Sequence, residues 1–274
     1  MTLEKKIKSA INLLQSIPQD GPIEVSYSGG KDSDVILQLA KEAGIPFEAI
    51  YKNTTIDPPG TIAHCKANGV RIVRPEKPFF KIVEEKGFPS RWQRFCCEVL
   101  KEYKIHDRAI QGIRRCESTK RATRYKEPEV CRVYPKGGKV RVYLPILEWS
   151  NEDVAAFIKD RCIKCAPAYY DENGQFHIER RLGCIGCPLA SQRLRREAYK
   201  KFPGILRESI NALQRFYNLH PQTVGAKMFN CNAYDKFVSD LFYDHPKQFL
   251  EAQNGMFGAE DSKQFLMDYF NFEL

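Results

Sequence analysis

Ser26-Tyr27-Ser28-Gly29-Gly30-Lys31-Asp32-Ser33 decides how the rest of the chain is read. Before it runs Ile23-Glu24-Val25, a short β-prone segment that alternates into the motif. After it, Val35, Ile36, Leu39, Ala40 and Ala43 recur at the spacing of a helix with one buried face. The order is strand, tight glycine turn, helix. Two adjacent glycines let the backbone turn sharply and bring its N–H groups close to a ligand. Those groups and the helix N-terminus attract anions, and Lys31, expected on a loop at the surface of the site, adds a mobile positive charge. Ser28 and Ser33 can donate hydroxyl hydrogen bonds to phosphate oxygens. Ser26, Ser28, Gly29, Gly30, Lys31, Asp32 and Ser33 therefore read as a phosphate cradle, against the bland alternative of a glycine turn that only joins strand to helix.

Outward from the cradle, strands and helices alternate at short spacing. Thr2 is placed to cap a first helix with apolar positions Leu3, Ile7, Ala10, Ile11 and Leu14. Phe47 to Lys52 reads as a second strand, ending at Asn53-Thr54-Thr55, and Pro58-Pro59 opens the next helix. Val70 to Val73 is a third strand, Pro75 to Gln93 reads as irregular, Cys96 to His106 as helical, and Arg108 to Ile113 as a fourth strand. Cys131–Tyr134 and Val140–Tyr143 flank Pro135-Lys136-Gly137-Gly138-Lys139, a hairpin signature. Ser150 with Asp153 three residues on predicts a reciprocally capped helix. The pattern predicts an α/β fold: a parallel twisted sheet with helices on both faces. Ligands of such sheets sit at the carboxyl ends of the strands, where the loop after Val25 and Asn53 to Thr55 converge. Beyond about residue 200, Ile205–Leu219 and Tyr234–Tyr243 are helical and no strand is clear. The expected division is a nucleotide-binding domain over residues 1–200 and a helical C-terminal extension over 201–274.

The 274 residues, 43% hydrophobic, exclude a disordered chain and allow one large domain with an appendage. No run of uncharged apolar residues approaches the length of a spanning helix, and the first residues lack a secretory apolar core. A cytoplasmic protein without membrane contact is expected, its ten cysteines reduced or metal-bound. Net charge is +9, and between Arg91 and Val142 stand 15 Lys and Arg against 6 Asp and Glu. That local surplus equals the excess of the whole chain, so the segment suits a polyanion, either a nucleotide or a nucleic acid.

The spacing G-x-x-x-x-G-K-[ST] of the usual P-loop is absent. Ser-Gly-Gly-Lys-Asp-Ser instead resembles the pyrophosphate (PP) loop of the adenine nucleotide α-hydrolase superfamily. Three further stretches resemble its phosphoadenosine phosphosulfate (PAPS) reductase branch. They are Gly112-Ile113-Arg114-Arg115-Cys116-Glu117-Ser118-Thr119-Lys120-Arg121-Ala122, Pro145 to Ser150 with Asp153-Val154, and Cys184-Ile185-Gly186-Cys187-Pro188. With the loop they cover roughly residues 20 to 190. The resemblance implies that Gly112, Arg114, Glu117 and Arg121 lie beside the nucleotide, along with Asn53 at the strand end. Guanidinium donors match oxyanion geometry, although Arg114 and Arg121 could also pair with Glu117 or Glu127.

Arg94-Phe95-Cys96-Cys97-Glu98 resembles the cysteine pair of the cluster-containing reductases. The resemblance implies a [4Fe-4S] cluster on Cys96, Cys97, Cys184 and Cys187, the four-thiolate set such a cluster takes. Spacing alone favours another reading. Cys162-Ile163-Lys164-Cys165, then eighteen residues, then Cys184-x-x-Cys187 is a zinc-ribbon spacing, with Zn²⁺ on Cys162, Cys165, Cys184 and Cys187. Both readings stay open at this point.

Two departures bear on activity. Reductases of this branch carry a nucleophilic cysteine in a C-terminal Glu-Cys-Gly-(Ile/Leu)-His tail, whereas this sequence ends Tyr269-Phe270-Asn271-Phe272-Glu273-Leu274. The loop meanwhile keeps Lys31 and Asp32, the expected catalytic pair, as in members that cleave ATP between the α and β phosphates. The expected activity is that of a PP-loop ATP pyrophosphatase or sulfurtransferase. It would use Mg²⁺-ATP, adenylate an acceptor (a nucleic acid being one candidate) and draw on a sulfur or electron donor protein. The alternatives are a PAPS or adenylyl-sulfate (APS) reductase releasing sulfite, and a non-catalytic or zinc-stabilised nucleotide-binding module.

Overall fold

The computed structural model describes residues 1–134, 138–253 and 261–274. In chain order the elements are α1 (Leu3–Gln15), β1 (Ile23–Tyr27), α2 (Lys31–Ala43), β2 (Glu48–Lys52), α3 (Thr61–Ala67), β3 (Arg71–Val73), α4 (Phe79–Lys86), α5 (Phe95–Leu100), β4 (Arg108–Ile110), α6 (Thr119–Arg124), β5 (Glu129–Tyr134), β6 (Gly138–Tyr143), α7 (Asn151–Asp160), α8 (Gln192–Lys201), α9 (Pro203–Leu219), α10 (Val224–Met228), α11 (Ala233–Phe242), α12 (Pro246–Gln253) and α13 (Ser262–Phe270). They fall into two compact units, one of Met1–Pro75 with Cys97–Gly183, the other of Glu76–Cys96 with Cys184–Leu274.

The first unit is built on a six-stranded sheet in the order β3-β2-β1-β4-β6-β5. Every neighbouring pair is parallel except β5 with β6, which is antiparallel and runs from Glu129 opposite Tyr143 to Tyr134 opposite Gly138. This is the expected hairpin, although Pro135 to Gly137 of its turn lie outside the described residues. Ile23, Val25 and Tyr27 of β1 face a core shared with Leu14 of α1, Val35 and Leu39 of α2, Cys65 of α3 and Phe157 of α7. The opposite face carries Ala109, Val140 and Val142 and packs under Tyr125, at the end of α6, and Leu144. Helices therefore flank a mostly parallel sheet, as the alternation of patterns predicts. The reciprocal cap of α7 forms as expected, with Ser150 Oγ accepting from Asp153 N–H at 3.2 Å and Asp153 accepting from Ser150 N–H at 2.7 Å.

Four expectations need correction. Thr2 precedes α1 in extended conformation, but its side chain makes no capping hydrogen bond. α5 stops at Leu100 instead of running to His106, because the chain turns there and the Tyr103 carbonyl accepts from Lys52 Nζ at 2.7 Å. β4 ends at Ile110, short of Ile113. The stretch 75–93 is not irregular throughout: Phe79, Ile82 and Val83 recur at helical spacing and are buried on α4. Prolines at 75, 78 and 89 mask that eight-residue pattern in the sequence.

The second unit is helical among its described residues. Its core joins Tyr199 of α8, Leu206, Ile210 and Leu213 of α9, Phe237 and Leu241 of α11, Phe249 of α12 and Leu266 of α13. The helices expected at 205–219 and 234–243 are α9 and α11, each beginning one or two residues earlier. No helix among the described residues is long and apolar enough to cross a membrane.

Candidate functional site: the phosphate loop and its arginines

The glycine turn closes by local necessity. Gly29 adopts φ +75°, a conformation that side chains disfavour, and a Cβ there would also meet Thr61 Cγ2 at 2.9 Å. Gly30 stands before α2, whose first turn is tied back by Ser33 N–H to Gly30 C=O at 2.8 Å and Asp34 N–H to the same oxygen at 3.0 Å. Ser33 Oγ donates to Gly30 C=O at 2.6 Å, and Ser28 Oγ accepts from Gly30 N–H at 3.3 Å. Ser28 is exposed, while the Ser26 hydroxyl donates to Glu24 at 2.7 Å.

Lys31 is not at the surface, as its loop position suggests. It is the first residue of α2 and only 4% exposed. Its ammonium lies 3.4 Å from Asp32 Oδ2 and 5.4 Å from the centre of the Tyr169 ring. The Tyr169 hydroxyl accepts from Lys31 N–H at 3.1 Å, and burial pushes that phenol up to about 12. A phenol so far from ionisation remains a proton donor for a phosphate oxygen. Its distance in sequence, 138 residues from Lys31, is why reading the motif alone misses it.

Asp32 is held on both oxygens by cations, Lys31 on one side and Arg114 Nε at 2.7 Å on the other. Arg114 is 1% exposed and spreads its remaining nitrogens over Trp149 C=O at 3.4 Å, Asn151 Oδ1 at 3.0 Å and Cys116 Sγ at 3.1 Å. Its guanidinium is thus committed to protein groups and fixes the carboxylate of the loop. Gly112 lets the chain pass close to the loop: a Cβ there would lie 2.8 Å from the Asp32 backbone oxygen. Glu117 accepts from Arg114 N–H at 3.2 Å and pairs with Arg121. Arg181, unnoticed in the sequence, donates to Glu117 C=O at 3.3 Å. Burial, with Arg181 close by, holds Arg121 below its ordinary value. Four cations around two carboxylates leave the loop's edge positive. Asn53 sits at the end of β2, its side chain accepting from Thr55 N–H at 2.8 Å, and lines a cleft of about 340 Å³ with Pro58, Gly60 and Thr61. Thr61 also touches the position a Gly29 Cβ would fill, so the cleft borders the loop.

Among the described residues, no group of three or more His, Cys, Asp or Glu is gathered to hold a metal ion. Cys184 and Cys187 stand on one turn, with Cys187 N–H donating to Cys184 C=O at 3.3 Å across Gly186 at φ +70°. Cys96 and Cys97 are consecutive on α5, and all four are half-buried. In the zinc-ribbon set, Cys165 is buried, with its thiol beside Asp34.

A strand–glycine loop–helix unit at the centre of a mostly parallel sheet, with a buried lysine at the helix start, defines an adenine nucleotide α-hydrolase-like, nucleotide-binding domain. Residues 22–190 match the phosphoadenosine phosphosulfate reductase domain, more than half of the sequence, and the chain belongs to that family. It is 29% identical over 233 residues to an uncharacterized protein of Methanocaldococcus jannaschii, covering 78% of this chain and 53% of that protein. It is 31% identical over 152 residues to an uncharacterized 37.8 kDa protein of Escherichia phage 186, covering 50% of this chain and 43% of that one. The chain thus spans about half the length of the curated relatives it matches. Among solved structures it is similar to FMN adenylyltransferase of Candida glabrata, with TM-score 0.45 and 15% identity over 67% of this chain and 62% of that one. It is also similar to phosphoadenylyl-sulfate reductase of Candida auris, with TM-score 0.41 and 16% identity over 60% and 87% of the two chains.

Proposed function

We propose that the chain binds ATP at the Gly29–Ser33 loop, cleaves it between the α and β phosphates and transfers the adenylyl group to an acceptor destined for sulfur transfer. A nucleophilic oxygen of the acceptor attacks the α-phosphorus, and the bond to the bridging oxygen of the β-phosphate breaks. Pyrophosphate departs with the electron pair. Charge grows on that leaving group, and a positive centre preset beside it lowers the barrier.

One observation carries this reading: the Lys31 ammonium is buried at the head of α2, between Asp32 and Tyr169, beside a glycine turn whose backbone side chains disfavour. A lysine so held would answer charge on departing pyrophosphate. Ser28, Ser33 and the Gly29–Gly30 backbone would hold the phosphates, with Asn53 and the adjoining cleft beside the nucleoside. Asp32 is occupied by two cations, so Mg²⁺ would be held chiefly by the phosphates and water, as this ion commonly is. Arg114 and Glu117 would orient the loop and its arginines, leaving Arg121 and Arg181 to face anionic oxygens. A nucleic acid is the acceptor we favour, because α6 and the turn after it present Lys120, Arg124 and Lys126 exposed within the basic segment 91–142. The proposal includes a [4Fe-4S] cluster on Cys96, Cys97, Cys184 and Cys187, which would supply electron or sulfur chemistry when bound.

Incubation with Mg²⁺-ATP and candidate RNA or DNA, followed by chromatography of the nucleotides, tests the reading. Pyrophosphate is the expected product. Release of orthophosphate alone, or robust sulfite release from PAPS with thioredoxin as reductant, would overturn it, the latter in favour of the reductase.

A further inference from the structure

The chain has two tryptophans, and they are placed oppositely: Trp149 is buried, whereas Trp92 is 94% exposed. The segment that carries Trp92 is firmly built. Phe88, four residues earlier, packs edge-on against Phe79 and Phe237, with ring centres 6.0 and 5.0 Å apart. Ser90 Oγ accepts from Trp92 N–H at 3.3 Å and from Gln93 N–H at 3.1 Å, and Ser90 N–H donates to Gln93 C=O at 3.2 Å. The Arg91 guanidinium donates to Pro188 C=O at 3.1 Å and Ala190 C=O at 3.2 Å. The turn is therefore closed on itself and tied to the residues just before α8, all within the second unit. Trp92 is not a lone apolar side chain in water. Leu189, between the two carbonyls that hold Arg91, and Leu194, on the first turn of α8, are both exposed as well. Apolar surface gathered in this way and held on a fixed scaffold marks a place where another molecule docks.

The charge around the ring narrows what that molecule is. Residues 90–94 read Ser-Arg-Trp-Gln-Arg, two basic and none acidic, and residues 188–201 carry five basic side chains to one acidic, Glu197. Arg91 bonds carbonyls and pairs with no carboxylate among the described residues, so its charge stands uncompensated. Arg193 is 74% exposed and meets only Glu197, in a surface pair that contributes little. The partner is therefore anionic. A bilayer surface is met by apolar side chains on one side and basic ones on the other, but here they alternate, as Arg91-Trp92 and Arg193-Leu194. An acidic peptide would answer the arginines and leave the indole face unused. Duplex nucleic acid offers phosphates but keeps the faces of its bases stacked. A single strand offers both, a π face at each base and an anion at each linkage.

We propose that the Trp92 turn and the start of α8 form a binding surface for single-stranded nucleic acid. A base stacks on the Trp92 indole, and the flanking phosphates meet Arg91 and Arg193. Because the turn is already closed, little order has to be imposed on it when the strand arrives. Every base has a π face, so the surface holds a strand without selecting its sequence. It uses no residue of the pyrophosphate loop or of α6, and it does not rest on the reaction proposed above.

Intrinsic fluorescence tests this directly, because with Trp149 buried a stacked base quenches chiefly Trp92. The full chain, without ATP and at low salt, is titrated with an oligothymidylate of about 12 nucleotides, within the span such sites occupy. Quenching on binding is the expected result. Followed by anisotropy of a labelled strand, Trp92→Ala should bind about 5- to 100-fold more weakly, the loss of one stacked base, with an unchanged melting temperature. Trp92→Phe keeps a ring and should retain most of the affinity. Arg193→Gln should reduce the slope of log affinity against log salt by about 0.7, the value for one phosphate of a single strand. Binding of the strand by Trp92→Ala as tightly as by the parent chain would overturn the proposal. So would a duplex of the same length bound as tightly as the single strand. A fluorescence change with phosphatidylserine vesicles or polyglutamate, and none with the strand, would replace it with a membrane or a protein partner. Failure to transfer an adenylyl group to nucleic acid would count against the proposed acceptor, not against this surface.

Discussion

Replacing Arg114 with methionine keeps most of the buried aliphatic volume and deletes the guanidinium. Asp32 loses its cation at 2.7 Å, and Asn151 Oδ1 and Trp149 C=O lose donors at 3.0 and 3.4 Å. Breaking a fully buried pair from one side costs about 3–5 kcal/mol. The Asp32 side chain is 16% exposed and keeps Lys31 at 3.4 Å, which moderates the loss. The expected destabilisation is therefore roughly 2–3 kcal/mol, discounted from that range for partial solvation and the remaining cation. In a unit of this size each kcal/mol moves the midpoint by about 2–4 °C, so the melting temperature should fall by roughly 4–12 °C. Arg114→Lys restores the charge but not the fork, and should recover only part of the loss. Thermal melts by circular dichroism, run beside ATP titrations, separate the two possible roles of this arginine. A melting temperature unchanged within about 1 °C, together with abolished ATP binding, would refute the reasoning and make Arg114 a direct ligand contact.

Thiol reactivity should follow burial. Iodoacetamide at about pH 8 should label the exposed Cys116, Cys131 and Cys162 well before Cys65, whose thiol burial pushes up to about 12, or Cys165, which is pushed up likewise; early labelling of Cys65 or Cys165, read by peptide mass mapping, would contradict their placement beside Asp34. Protein purified without oxygen should carry about four irons per chain, the content of the proposed cluster type. Cys96→Ser or Cys97→Ser should bleach it and Cys162→Ser should not, whereas stoichiometric zinc lost with Cys162→Ser would restore the ribbon.

What the sequence makes legible is local. The β1–loop–α2 unit, the Ser150–Asp153 reciprocal cap and the β5–β6 pairing each arise within a few residues, so their patterns survive in one dimension. Residues that meet across the fold do not announce themselves. Tyr169 reaches Lys31, Arg181 reaches Glu117, and His64 reaches Asp34 over separations of 138, 64 and 30 residues. One reading failed for an instructive reason. Lys31 looked solvent-exposed because lysines at loops usually are, yet an aromatic ring and a carboxylate give its stem and charge a buried place. Nor does the Gly112–Ala122 stretch reveal that the Arg114 guanidinium turns back onto Asp32.

The central claim is that the Gly29–Ser33 loop holds the pyrophosphate part of an adenine nucleotide. Competition calorimetry with Mg²⁺-ATP, inorganic pyrophosphate and the Lys31→Ala protein measures it directly. The account predicts that pyrophosphate displaces ATP, and that Lys31→Ala weakens both by about tenfold or more, the scale expected for loss of one charge-assisted contact. ATP binding that is indifferent both to pyrophosphate and to the loss of the Lys31 ammonium would contradict it.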